Sequence, residues 1–145
     1  MIFTDTHTHL YASEFDIDRD QLIQSAIQKG VQRFFLPNID SSSIIGLLDL
    51  KNNFPKNCFP MIGLHPCSVK ENYEDELAIA ADYLSKEKFV GIGEIGIDLY
   101  WDKTFFSQQQ KAFRTQIEWA KKYNLPIVIH SRNSFDEVYE ILLET

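Results

Sequence analysis

Residues 89–97 read Phe-Val-Gly-Ile-Gly-Glu-Ile-Gly-Ile, an almost unbroken apolar run that holds one carboxylate, Glu94. The run does not alternate apolar with polar residues. It therefore predicts a strand buried on both faces, the kind found in parallel sheets covered by helices. Its glycines predict close packing or the close approach of a ligand. Gly91-x-Gly93-x-x-Gly96 matches the spacing of a dinucleotide fingerprint. The glycines lie inside the strand and open no helix, so that reading is rejected.

The same grammar extends outward in both directions. Upstream, Leu77, Ala80, Ala81 and Leu84 recur at helical spacing; downstream, Phe113, Gln116, Ile117, Ala120 and Tyr123 mark a long amphipathic helix. Ile2-Phe3, Val31–Leu36, Cys58–Leu64 and Pro126–Ile129 are further strand-like runs. Leu22, Ile23, Ala26 and Ile27 form a helical stripe that Gly30 can end. Ser41 to Ser43 can cap a helix carrying Ile44, Ile45, Leu47, Leu48 and Leu50. Ser134-x-x-Glu137 is a capping-box pattern opening a last helix.

Five strand–helix units in alternation predict an α/β chain with a parallel sheet. The open choice is between a doubly wound sheet and a TIM-type (β/α) barrel. A complete barrel takes roughly 250 residues, so this chain would be a barrel truncated after about five βα units. The sequence stops at Leu142-Leu143-Glu144-Thr145, inside a helical pattern. Residues 1–145 are thus expected to be the N-terminal part of a single barrel domain. Its two outermost strands would be unpaired edges, which predicts self-association or aggregation.

Composition narrows the function classes. With 44% apolar, 24% charged and 13% aromatic residues, the chain is neither disordered nor fibrous. No run of about 18 apolar residues exists to span a membrane, and no secretory signal opens the chain. Cys58 and Cys67 are too few for a disulfide scaffold. A cytoplasmic protein is expected. The net charge of −7 argues against a module that coats nucleic acid through its phosphates. It does not argue against a pocket where carboxylates hold cations, because the ions reverse the local sign.

The chemistry-bearing residues fall at strand ends. His7 and His9 are two apart and in an extended strand would share a side with Asp5; such a pair can grip one divalent ion, or can be exposed strand-end residues. Glu94 in an apolar strand needs a metal or a buried cation, and its own segment has no Lys or Arg. His130 ends the last strand, as a ligand or as a structural residue. His65, before Pro66, has the same placement. Arg132 can recognise an anion through its planar fork or pair with Asp136 or Glu137.

Asp5-Thr6-His7-Thr8-His9-Leu10, Gly63-Leu64-His65-Pro66, Gly93-Glu94-Ile95-Gly96-Ile97-Asp98 and Ile129-His130-Ser131-Arg132 resemble, in order and spacing, the TatD family of metal-dependent hydrolases. The resemblance runs over essentially the whole chain. It implies a TIM-type barrel holding one or two divalent ions (Zn, Mn or Mg) that hydrolyses DNA phosphodiesters with a metal-activated water. Carried over by motif, His7 and His9 bind the first ion, Glu94 bridges two ions as the catalytic carboxylate, and His130 binds the second. His65 and Arg132 become contacts to substrate phosphate. The family completes its site with a further His and an Asp from strands six and eight, which this sequence does not reach. The resemblance therefore implies weak metal binding and little turnover for these residues alone. Two other functions stay open: an amidohydrolase-like C–N or ester hydrolase of a small molecule, and a non-catalytic barrel fragment.

Overall fold

The computed structural model describes residues 1–145 and forms all five units. The strands are β1 (Phe3–Asp5), β2 (Val31–Leu36), β3 (Cys58–Pro60), β4 (Ile92–Asp98) and β5 (Ile127–Arg132). The helices are α1 (Arg19–Gln28), α2 (Ile44–Asn53), α3 (Tyr73–Lys86), α4 (Phe106–Tyr123) and α5 (Phe135–Glu144). Every strand pair is parallel, β1-β2-β3 in one sheet and β4-β5 in another. A bridge from Ile62 to Ile92 joins the two, with the Gly93 amide donating to the Ile62 carbonyl at 2.8 Å. Strand order thus follows chain order with no reversal point, the winding of a barrel and not of a doubly wound sheet.

All seven residues of β4 are buried, as an apolar run flanked by strands and covered by α4 requires. Ile92, Ile95 and Ile97 pack into one core with Leu36, Ile62 and Phe113. The glycines of β4 serve this packing. A Cβ on Gly93 would come within 2.7 Å of the Val128 Cβ, and Gly96, at φ +142°, has no room for one against the His130 carbonyl. β4 and β5 therefore approach more closely than strands with side chains at those positions allow.

Several local expectations change. β1 stops at Asp5, whose carboxylate accepts from the His7 amide at 3.1 Å and turns the chain. His7 and His9 accordingly lie beyond the strand, and Asp5 is spent on the turn instead of sharing their side. The cap before α2 is Asp40, which accepts from the Ser42 amide at 3.1 Å, while Ser41–Ser43 form a single 3₁₀ turn. Ser134 does not cap α5 with its side chain. Its buried hydroxyl donates to the Ile97 carbonyl at 2.7 Å and accepts from the Arg132 amide at 3.1 Å, fastening the β5–α5 turn onto β4. Tyr123 is 39% exposed and lies outside the core stripe of α4. The outer edges of β1 and β5 carry no strand partner. No helix is long and apolar enough to cross a membrane.

Candidate metal centre

All four histidines of the chain converge on Glu94. The segments after β1 and β3 bring His7, His9 and His65; β4 and β5 bring Glu94 and His130. Oε2 of Glu94 lies 2.9 Å from His7 Nε2 and 3.6 Å from His9 Nε2. Oε1 lies 3.0 Å from His130 Nδ1 and 3.7 Å from His65 Nε2. Burial pushes this carboxyl up, but the hydrogen bond from His130 and, when their rings are protonated, His9, His65 and His7 outweigh it and hold Glu94 well below the usual carboxylate range. Its partners are imidazoles, not a buried Lys or Arg.

The His7–His9 end is shaped to hold a cation. Donors at about 2.0–2.2 Å from a tetrahedral ion sit about 3.3–3.6 Å from one another. His7 Nε2 and His9 Nε2 are 3.2 Å apart, and their distances to Glu94 Oε2 are 2.9 and 3.6 Å. The tautomer agrees for His9. The buried Tyr11 hydroxyl donates to the Pro37 carbonyl at 2.6 Å, so its oxygen can only accept from His9 Nδ1, 2.7 Å away. The His9 hydrogen is therefore on Nδ1, and Nε2 presents a lone pair.

The His65–His130 end is built differently. His65 Nδ1 accepts from the Cys67 amide at 3.1 Å, so the neutral ring carries its hydrogen on Nε2, facing His130 Nδ1 at 3.1 Å. Burial lowers the His65 pKa to about 4 against the pull of Glu94, which keeps the ring neutral at pH 7. His65 is thus a hydrogen-bond donor into the site. His130 lies between Glu94 Oε1 at 3.0 Å and Asp98 Oδ2 at 2.8 Å; the bond to Glu94 first, then that to Asp98, raise its pKa against burial. When the ring is neutral with its hydrogen on Nε2, Asp98 accepts it, and Nδ1 presents a lone pair that takes the His65 hydrogen unless a cation beside Glu94 displaces it. Cys67 lies next to this pair, but burial pushes its thiol up to about 11, so it is protonated at neutral pH. His65, Cys67 and His130 cluster here, and of the three His130 lies nearest Glu94, at 3.0 Å from Oε1.

Asp98 is a member of the centre that the motif reading quoted without assigning. It stands four residues after Glu94 on one strand, and that even spacing places both carboxylates on the same face. Two glutamines of α4 grip the backbone beside the site. Gln109 accepts from the Asp98 amide at 2.9 Å and donates to the Asp98 carbonyl, and Gln116 does the same at Leu64, beside His65. Both are buried, and amides inside an apolar helical stripe were the signal for them. Arg132 pairs with neither Asp136 nor Glu137. Its guanidinium lies 3.8 Å above the Tyr100 ring.

The family model described as TatD related DNase matches residues 4–145. The chain is 36% identical to the uncharacterized metal-dependent hydrolase YabD of Bacillus subtilis (strain 168), over 99% of its own length and 56% of that protein's. It is 27% identical to the 3'-5' ssDNA/RNA exonuclease TatD of Erwinia tasmaniensis, over 95% of this chain and 53% of that one. The crystal structure of YjjV, a TatD homolog from Escherichia coli K12, superposes with a TM-score of 0.89 at 31% identity, covering 98% of this chain and 55% of that one. The chain spans about half the length of the curated relatives it matches.

Proposed function

Because this chain belongs to the TatD-related DNase family, we propose that it carries the Glu94 centre of a metal-dependent phosphodiesterase acting on DNA. One observation carries the reading: Glu94 offers one oxygen to each of two histidine pairs. In this reading His7, His9 and Glu94 hold one divalent ion, and Glu94 with His130 holds a second. A donor set of imidazoles and a carboxylate suits Zn²⁺ or Mn²⁺ better than Mg²⁺. Such ions, when bound, lower the pKa of a coordinated water and offset charge on the attacked phosphate. Glu94 and Asp98 neutralise the cation charge from inside the fold, while Asp98 fixes the His130 ring. The neutral His65 donates its Nε2 hydrogen to a phosphate oxygen, and Arg132 offers the open edges of its guanidinium. The nuclease name of the Erwinia relative supports nucleic acid as the substrate class. Residues 1–145 are read as the first five units of one hydrolase barrel.

The test is release of nucleotides from single-stranded DNA with Mn²⁺, Zn²⁺ or Mg²⁺ against EDTA, beside calorimetric titration of each ion. Metal-dependent cleavage that disappears in Glu94→Gln supports the reading. Absence of ion binding overturns it, and so does cleavage of a lactone or amide with none of DNA.

A further inference from the structure

Tyr100 and Trp101 lie just past β4, after Leu99, at the end of the strand that carries Asp98, and remain 51% and 69% exposed. Large aromatic surface left in water needs a reason, and the backbone that carries these two rings is tied to the site. Their amides donate to Asp98 Oδ1 at 2.9 and 3.3 Å, while Oδ2 of the same carboxylate lies 2.8 Å from His130 Nε2. A single side chain thus ties the aromatic pair to the centre. Arg132 arrives from β5 in register with Asp98. Its guanidinium stands 3.8 Å from the Tyr100 ring centroid and 5.1 Å from that of Trp101, and the two rings meet edge to face at 4.8 Å. Arg132 has no carboxylate partner, and its hydrogen bonds are made by its backbone amide and carbonyl, so the N–H edges of its guanidinium are open.

We infer that Trp101, Tyr100 and Arg132 form a platform on which a nucleobase of single-stranded nucleic acid stacks beside the Glu94 centre. The inference rests on the phosphodiesterase reading and names how the strand is held there. Aromatic rings and guanidinium planes both accept the π-face of a base, and the guanidinium edge meets the neighbouring phosphate. Stacking of this kind tolerates any base and requires one that is unpaired, so it selects single strands over duplex. The cavity beneath Trp101, lined also by Cys67, Lys70 and Phe105, is about 70 Å³. Ligand pockets run to about 300 Å³ and more, so the base takes the open outer face and not the cavity.

Fluorescence anisotropy tests this with a labelled oligothymidylate and an abasic strand of equal length, in EDTA so that neither is cut. The chain is expected to bind the base-bearing strand more tightly. Trp101→Ala weakens that binding about tenfold and leaves the abasic strand unchanged, while Trp101→Phe keeps most of the preference. Equal binding of the two strands by the unmodified chain overturns the inference, as does an equal loss on both strands in Trp101→Ala. A chain that distinguishes the strands but binds no divalent ion breaks the hydrolysis reading alone. A chain that cuts DNA without regard to bases breaks this inference alone.

Discussion

On the β1 side of Glu94 two imidazoles meet at 3.2 Å, and the hydrogen of His9 is drawn away from the meeting point by Tyr11. On the β5 side two imidazoles meet at 3.1 Å, and His65 points its hydrogen into the gap because the Cys67 amide occupies its other nitrogen. One residue type therefore plays two parts. What holds the far nitrogen decides whether the near one offers a lone pair to a cation or a hydrogen to an anion. In the proposed reading the β1 end is a cation grip with three donors, and the β5 end combines a two-donor cation position with a neutral donor for substrate.

The largest effect is expected where the two ends share an atom group. Glu94→Gln should cost more in Zn²⁺ or Mn²⁺ affinity than the ~100-fold ceiling typical of outer partners, at both ends together. Calorimetry that finds one end binding as before would show that the carboxylate is not shared. Next, His9→Ala should abolish ion binding at the β1 end and leave the His130 ring signals in NMR where they were. His65→Ala should leave ion affinity within a few-fold; a loss as large as that of His9→Ala would make His65 a ligand and erase the contrast.

Smaller changes test the tautomers themselves. Tyr11→Phe frees the Nδ1 hydrogen of His9, and Asp98→Asn loosens the ring of His130; each should cost about 10–100-fold in ion affinity, at opposite ends. The smallest effect is on stability without metal. Glu94 is held below its ordinary range, so its contribution is present above the unfolded carboxylate pKa and fades as the pH falls through the folded value. His130 is raised, so its contribution is complete below the unfolded histidine pKa and fades as the pH rises through the folded value. Urea midpoints across pH should therefore fall on both flanks. Added Zn²⁺ should lift the alkaline flank, where the metal takes the place of the proton.

Much of the architecture was legible residue by residue. Val31–Leu36 forms β2 with the bounds read from its apolar run, and Leu77, Ala80 and Leu84 are buried on α3 as their spacing implies. The run around Glu94 became the most buried strand because every second residue had no polar alternative to offer water. Local polar competition was harder to read. Asp5, Asp40 and Ser134 each bind a backbone amide, and which amide a short side chain finds depends on where the neighbouring strand lies. The roles of Gln109 and Gln116 were hidden for a similar reason, since an amide in an apolar stripe announces a buried partner without naming it.

The sequence by itself determined the alternation of strands and helices and the carboxylate inside the apolar run of β4, because periodicity and the cost of burying charge are local properties. Tertiary structure alone decided that each oxygen of Glu94 faces one histidine pair, that Asp98 joins the centre, and that His9 turns its lone pair toward the site. Those outcomes hang on Tyr11 meeting the Pro37 carbonyl and on His130 of β5 lying between Glu94 and Asp98 of β4. The hydrogen of His9 is placed through Tyr11 by the Pro37 carbonyl, distant in sequence, whereas that of His65 is placed by the Cys67 amide two residues on.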